Sequence, residues 1–336
     1  MLAPNQWIRK IGLVVGRVPK ANGLGAFAPI NAFAPVDLSS ARIKFTVSQI
    51  DAETPNNAEI RVYNLAPDTV AQIQQNANVV YLQAGYATGA FGNIFTGQIK
   101  QFRRGKEDAV TTYLDILAGD GDRIYNWGQT ALSLPAGSTY QQQIEAVAAQ
   151  QGVPLSVHAD AKKSFGGTIV RGKVQYAMTR DIVRDLSTRA NCSWSFQNGV
   201  MRVVPFNAVD PTAPIVLSAQ TGVVGIPEQT DEGIKVRCLL NPLLQVYGSA
   251  KIDNSLINQT QFGNTGSAKS GQNAFAGVPF NQRVGQVNLA NVNENKGIYK
   301  IFCVEHEGDM RGGPWYSTVT LLSLDPVLHT VVPSPA

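Results

Sequence analysis

Residues 94–117 read IFTGQIKQFRRGKEDAVTTYLDIL, and residues 301–324 read IFCVEHEGDMRGGPWYSTVTLLSL. Laid over each other without a gap, at an offset of 207, they agree at seven of 24 positions. Ile94-Phe95 falls on Ile301-Phe302, Arg104-Gly105 on Arg311-Gly312, and Thr111, Leu114 and Leu117 on Thr318, Leu321 and Leu324. Average composition gives roughly one or two such matches by chance. Each stretch also reads as strand, turn at Arg-Gly, strand. Any two β-hairpins share that much. The stronger reading is an internal duplication, with two related β-barrels separated by an insert.

Outward from the first copy, period-two alternation dominates the first 120 residues. Ile43, Phe45 and Val47 alternate with Arg42, Lys44 and Thr46, and Ile60 and Val62 with Arg61 and Tyr63. Further strands are expected over Val79–Ala84, Asn93–Phe102 and Ala109–Leu117. One apolar and one polar face is the mark of an antiparallel sheet with a wet side. A loop rich in Ala, Pro and Gly fills residues 19–40. Pro67 sits near a helix start, with Val70 and Ile73 spaced for one face. The region reads as a barrel or sandwich with one helix.

The pattern changes at about Ile124. Ser138-Thr139-Tyr140-Gln141-Gln142 has Gln three residues after each candidate cap, and Gly152-Val153-Pro154 stops the helix that follows. A second helix is expected from Thr179, lined by Ile182, Val183, Leu186 and Ala190. Cys192–Phe196 and Val200–Val204 flank Asn198-Gly199, a strong hairpin signal. From Phe206 strands return, over Pro214–Leu217, Ile234–Leu240, Tyr299–Glu305 and Tyr316–Leu324. The expected fold class is therefore mainly β with a smaller α+β part, two antiparallel barrels flanking an α+β domain. The expected domains are 1–122, 123–205 and 206–330, with a tail at 331–336. A loop rich in Asn, Gly and Ser at 253–297 carries Phe262, Phe275, Val278 and Phe280, spaced too widely for a core strand. It reads either as a segment that orders against a neighbour or as disorder.

Composition narrows the class of function. Of 336 residues 44% are hydrophobic and only 15% charged, against about 25% in ordinary soluble domains. So little charge suits a chain that hides its surface against other subunits, since interface cores are depleted in charge. The balance of 28 basic and 24 acidic residues, +4, is too even for a nucleic-acid patch. Its densest basic run, Lys100–Lys106 with Arg103 and Arg104, reads as a solvated strand end or turn. Cys192, Cys238 and Cys303 lie too far apart for a zinc knuckle or a disulfide framework and read as buried small apolar groups. The start of the chain lacks the pattern of a signal peptide, and no run approaches the 18 apolar residues of a membrane span, so no membrane insertion is expected.

Catalytic chemistry finds little footing. The histidines are His158, in an irregular segment, His329, near the C-terminus, and His306, within Val304-Glu305-His306-Glu307-Gly308-Asp309. Neighbours along a strand point to opposite faces, so His306 and its flanking carboxylates do not converge on one metal ion. Asp120-Gly121-Asp122 lacks the loop length and closing Glu of a calcium-binding loop and reads as a turn. The glycines Gly12, Gly16, Gly23 and Gly25 form no dinucleotide-binding unit, and Glu145 alone is no acid pair. Trp7, Trp127, Trp194 and Trp315 read as core or interface anchors. No catalytic, cofactor-binding or metal-ligating residue, and no cofactor, is expected.

The stretches Glu59-Ile60-Arg61-Val62-Tyr63-Asn64-Leu65, Ala84-Gly85-Tyr86, Ile94-Phe95-Thr96-Gly97-Gln98-Ile99 and Asp120-Gly121-Asp122 carry a resemblance. It continues through Gly225-Ile226-Pro227, Gly233-Ile234, Leu239-Leu240-Asn241-Pro242, and 304–309 followed by Trp315. In this order they resemble the central baseplate hub proteins of contractile-tailed bacteriophages, a group that includes late-control-type tail proteins and the hub part of type VI secretion spikes. The resemblance implies two tube-protein-like barrels per chain and a homotrimer whose six barrels meet a hexameric tail tube, while its threefold end meets a trimeric spike protein. It implies the tail tube protein, other baseplate proteins and a tape-measure protein as partners, DNA only in transit during genome ejection, and a place in the virion tail after synthesis in the host bacterial cytoplasm. A tail-tube initiator or adaptor would need only one barrel. A tail-associated cell-wall hydrolase would need an acid pair or a metal in the middle domain, and a carbohydrate-binding module an exposed aromatic platform.

Overall fold

The computed structural model describes residues 8–17, 35–230, 233–252 and 297–324. Loop 253–297 up to residue 296, most of loop 19–40, Trp7, His329 and the tail at 331–336 lie outside the described residues.

The first part of the chain supplies strands β1 (Arg9–Gly16), β2 (Val36–Asp37), β3 (Ile43–Ile50), β4 (Asn57–Tyr63), β5 (Val79–Tyr86), β6 (Phe91–Lys106) and β7 (Thr112–Gly119). Helix α1 (Pro67–Asn76) begins, as its sequence predicts, with Pro at the first turn, where the missing N–H costs nothing, and buries Val70 and Ile73. The last part supplies β13 (Ile215–Leu217), β14 (Glu228–Thr230), β15 (Gly233–Leu239), β16 (Ser249–Ile252), β17 (Ile298–Asp309) and β18 (Trp315–Ser323). All these strands join one 13-stranded sheet that is antiparallel save for the β13–β16 pair.

Its strand order contains the same pattern twice. The first half runs β3-β4-β7-β6-β5-β1 and the last half β14-β15-β18-β17-β16-β13. With the two-residue β2 set aside, the sequence of neighbours in each, counting along the chain, is second, third, sixth, fifth, fourth, first, although the outer pair is antiparallel in the first half (β1–β5) and parallel in the last (β13–β16). A β-bulge marks corresponding points. In β6 it falls between Ile99 and Gln101, opposite Ala118 and Leu117; in β17 it falls between Ile301 and Cys303, opposite Leu321 and Thr320. Ile99 therefore corresponds to Ile301. The ungapped alignment, which sets Ile94 on Ile301, is five residues out of register there and four in β7 and β18, so none of its seven identities corresponds in space. Arg104-Gly105 also lies inside β6 rather than in a turn. The turn comes later because Asp108 accepts hydrogen bonds from the backbone N–H groups of Val110 and Thr111 and from the Thr111 hydroxyl.

The two halves are stitched together within the chain. Beyond its bulge β17 leaves β16 and pairs with β3, from Cys303 opposite Ile50 to Asp309 opposite Lys44. Gly308 lies in this seam because nothing larger fits. A Cβ there would stand 2.4 Å from the Phe45 ring and 2.8 Å from Trp315, two rings already packed edge to face at 5.6 Å. Gly308→Ala is expected to cost about 1–3 kcal/mol by overpacking, read as a lowered urea midpoint; an unchanged midpoint contradicts this packing.

Between the halves lie α2 (Asp122–Trp127), β8 (Gln129–Leu134), α3 (Tyr140–Gln151), β9 (Leu155–Val157), α4 (Ala159–Ser164), β10 (Lys173–Met178), α5 (Thr179–Arg189), β11 (Cys192–Gln197) and β12 (Val200–Pro205). Thr139 and Gln142 form the expected capping box on α3, and Gly152 ends it in the left-handed conformation. α5 starts at Thr179 as predicted. The β11–β12 hairpin turns on Asn198 and Gly199, both at positive φ, as a type I′ turn requires. This part has its own core around Ile144, Val183, Leu186, Trp194 and Phe196. A second core lies under the first half, around Phe45, Ile60 and Ile116, and a third under the last half, around Val236, Tyr299 and Val319.

Candidate functional surface

Alternation along the strands splits the sheet into two chemically different faces. From β14 through β15, β18, β17, β3, β4 and β7 to β6 the sheet runs unbroken for eight strands. Ile234, Val236, Val304, Val47, Phe45, Ile60, Leu114 and Ile116 point to the cores. The opposite face carries basic Lys44, Arg61, Arg103, Lys235 and Arg237 against acidic Glu59, Asp115, Glu228, Glu305 and Glu307. The two signs are equal in number, and two ion pairs join them directly. Arg61 grips Asp115 through two hydrogen bonds, of 2.7 and 3.0 Å, and Arg103 stands opposite the same carboxylate from the next strand. Asp115 accordingly lifts the Arg61 guanidinium above its ordinary range. Arg237 pairs with Glu307 across β18. The face is thus polar, mixed in sign and even in its balance of charge.

His306 is on the other side of the sheet from Glu305 and Glu307, as strand alternation predicts. It is wholly buried, hydrogen-bonded through Nδ1 to Ser317 Oγ at 2.7 Å, and burial pushes its pKa down to about 4. It is therefore neutral and sequestered. His158, expected in an irregular segment, caps α4 instead: Nδ1 accepts from the Asp160 N–H and Nε2 lies 3.1 Å from the Val209 carbonyl. Among the described residues no three His, Cys, Asp or Glu side chains group as a metal site would require, and no helix is long and apolar enough to cross a membrane. Cys192 and Cys238 are buried, which pushes their thiols up to about 11 and about 12. Cys303 departs from the expected burial because it follows the bulge and sits on the polar face, half-buried. Trp194 and Trp315 are core residues, whereas Trp127 is 69% exposed.

The hairpin tip of the middle part is pinned into the first half. Asn198 Oδ1 accepts from the Thr96 N–H and from Gln49, and Asn56 Nδ2 donates to the Phe196 carbonyl at 2.6 Å. The Gly199 N–H donates to Asp120 Oδ1 at 2.9 Å. The sequence marks Asp120-Gly121-Asp122 only as a turn. In the structure Asp120 is buried, Gly121 takes the left-handed conformation against Phe196, and Asp122 opens α2. Burial raises Asp120 to a pKa of about 7, although the hairpin N–H groups oppose the shift.

No family model matches the sequence, and no curated protein matches it. Solved structures do. The 43 kDa tail protein of prophage MuSo2 from Shewanella oneidensis superposes with a TM-score of 0.53 at 8% identity, over 95% of this chain and 98% of that one. A tail protein from Neisseria meningitidis MC58 gives 0.54 at 7% identity, over 94% and 97%. An E. coli protein described as a type VI secretion component gives 0.48 at 10% identity, over 85% and 74%. The chain shares the fold of these two tail proteins.

Proposed function

We propose that this chain is a structural component of a phage tail baseplate: the trimeric central hub that joins a hexameric tail tube to a trimeric spike and lines the DNA channel. The observation that carries the reading is the repeated strand order, with its repeated bulge and the β17–β3 seam between the copies. Each chain brings two tube-like barrels, within 1–122 and 206–330, flanking the α+β domain at 123–205. Three chains then present six similar units to a sixfold tube while the assembly keeps threefold symmetry for the spike. A tail-tube initiator needs only one unit per chain, so the duplication disfavours it.

The polar face of the eight-stranded run becomes the channel wall. Eight strands from each of three chains make 24, enough for a wide closed barrel rather than a packed one. Its even balance of five basic and five acidic side chains suits passage of DNA. Unpaired Lys and Arg would hold phosphates through counterion release and slow the transit. Buried His306 and the helix-capping His158 fit a structural rather than a catalytic role. Purified protein, alone and co-expressed with a candidate spike, is expected to form a trimer of about three times 36.1 kDa by light scattering or native mass measurement. A stable monomer indifferent to spike and tube proteins contradicts the reading.

A further inference from the structure

Within the chain, the far part of β17 pairs with β3 of the other half. The strand equivalent to β17 is β6, and its corresponding part, residues 101–106, pairs only with β7 among the described residues. The strand equivalent to β3 is β14, which ends the sheet on the other side among the described residues. One seam is thus made inside the chain. The two complementary edges, β6 of the first half and β14 of the last, stand at opposite ends of the eight-stranded run.

We propose that β6 of one copy pairs antiparallel with β14 of a second copy, in the register set by the internal seam. That register follows from the pairings. Val236 opposite Val319 corresponds to Ile60 opposite Ile116, so β15 overlays β4, and Glu228 takes the place of Thr46. The bulges set Gly105 in the place of Glu307. Since Glu307 faces Thr46 inside the chain, Gly105 faces Glu228 between chains, and Arg103 faces Thr230. Arg103 then lies diagonal to Glu228 on the polar face, where opposite charges attract across strands. The contact is heterologous, β6 to β14, so it repeats from copy to copy and makes a ring when the rotation closes on three chains.

This inference rests on the ring reading but can fail separately from it. The test is Arg103→Cys with Thr230→Cys in a Cys303→Ser background, oxidised and run on a denaturing gel. Facing strand residues have Cα separations of about 4.5–5.5 Å, within disulfide reach. A covalent trimer ladder that collapses on reduction is expected, and at least tenfold less product from Arg103→Cys with Gln229→Cys, which points to the other face. In parallel, Arg103→Glu is expected to weaken association up to about fivefold per seam and Glu228→Arg to restore it. A trimer by mass that does not cross-link in this register, and ignores the charge swap, overturns the seam and leaves the hub standing. A monomer by mass, with no cross-link, overturns both.

Discussion

Lys300→Met is expected to cost about 3–5 kcal/mol of stability, because it strands a buried carboxylate. Lys300 Nζ lies 2.9 Å from Asp51 Oδ2, both residues are buried, and the ammonium also donates to the Phe206 carbonyl at 3.3 Å. Tyr247 donates its phenol to the other Asp51 oxygen at 2.8 Å and shares a hydrogen bond with Ser195 Oγ, which accepts from Gln197. This network ties together the end of β3, the β11–β12 hairpin and the last half. Tyr247 reaches it with φ at 71°, a conformation a bulky residue adopts only when its surroundings enforce it. Without the lysine, Asp51 keeps one phenol as its described hydrogen-bond donor. Lys300→Met with Asp51→Asn removes both charges and keeps an acceptor for Tyr247, so the double variant is expected to recover most of the loss. Urea unfolding followed by circular dichroism measures both. A single-variant cost below about 1 kcal/mol, or additive losses in the double, contradicts the role of the pair.

Asp120 and His306 make opposite contributions to pH dependence, and removing one exposes the other. Asp120 holds its proton up to a pKa of about 7 in the fold, against 3.8 as the reference. Between those values the folded state binds more protons than the unfolded chain, so Asp120 lowers stability as pH rises from about 4 to about 7, by up to ~4 kcal/mol. His306 stays neutral down to about 4, against a reference of 6.5. Here the unfolded chain binds more protons, so stability rises with pH across about 4 to 6.5, by up to ~3 kcal/mol. Over the shared window the two slopes nearly cancel. Asp120→Asn, which resembles the protonated acid, is expected to leave the His306 slope: weak at pH 4.5 and climbing by a few kcal/mol to pH 6.5. Urea midpoints at pH 4.5, 5.5, 6.5 and 7.5 measure this. Parallel curves for the variant and the parent contradict it.

Local signals in the sequence carried through where one residue type has one physical use. Pro67 at a helix start, Thr139 with Gln142 as a capping box, and Asn198-Gly199 in a two-residue turn all stand where their chemistry predicts. Alternation likewise gave the sidedness of β3, β4 and β15. Strand pairing was not readable in the same way. Nothing along the chain announces that β17 changes partners at Phe302 and crosses to β3, because a bulge needs no particular residue, and Lys100 and Phe302 hold the two bulges with unlike side chains. That is why an ungapped alignment pairs residues that do not correspond, while the repeat shows in the strand order and the bulges. Short β14 and β16 escaped for a related reason: three or four residues carry too little alternation to recognise. The polar face was legible residue by residue, but its continuity across both halves depends on the seam.

The most direct test of the hub account is an image of the purified assembly viewed down its axis by electron cryomicroscopy. The account expects one closed wall around an open lumen, threefold in symmetry, with first and last halves alternating as six near-equivalent units and Lys44, Arg61, Glu305 and Arg237 facing the lumen. An assembly in which the halves occupy different radii, or in which this face is covered by protein and no lumen exists, contradicts it.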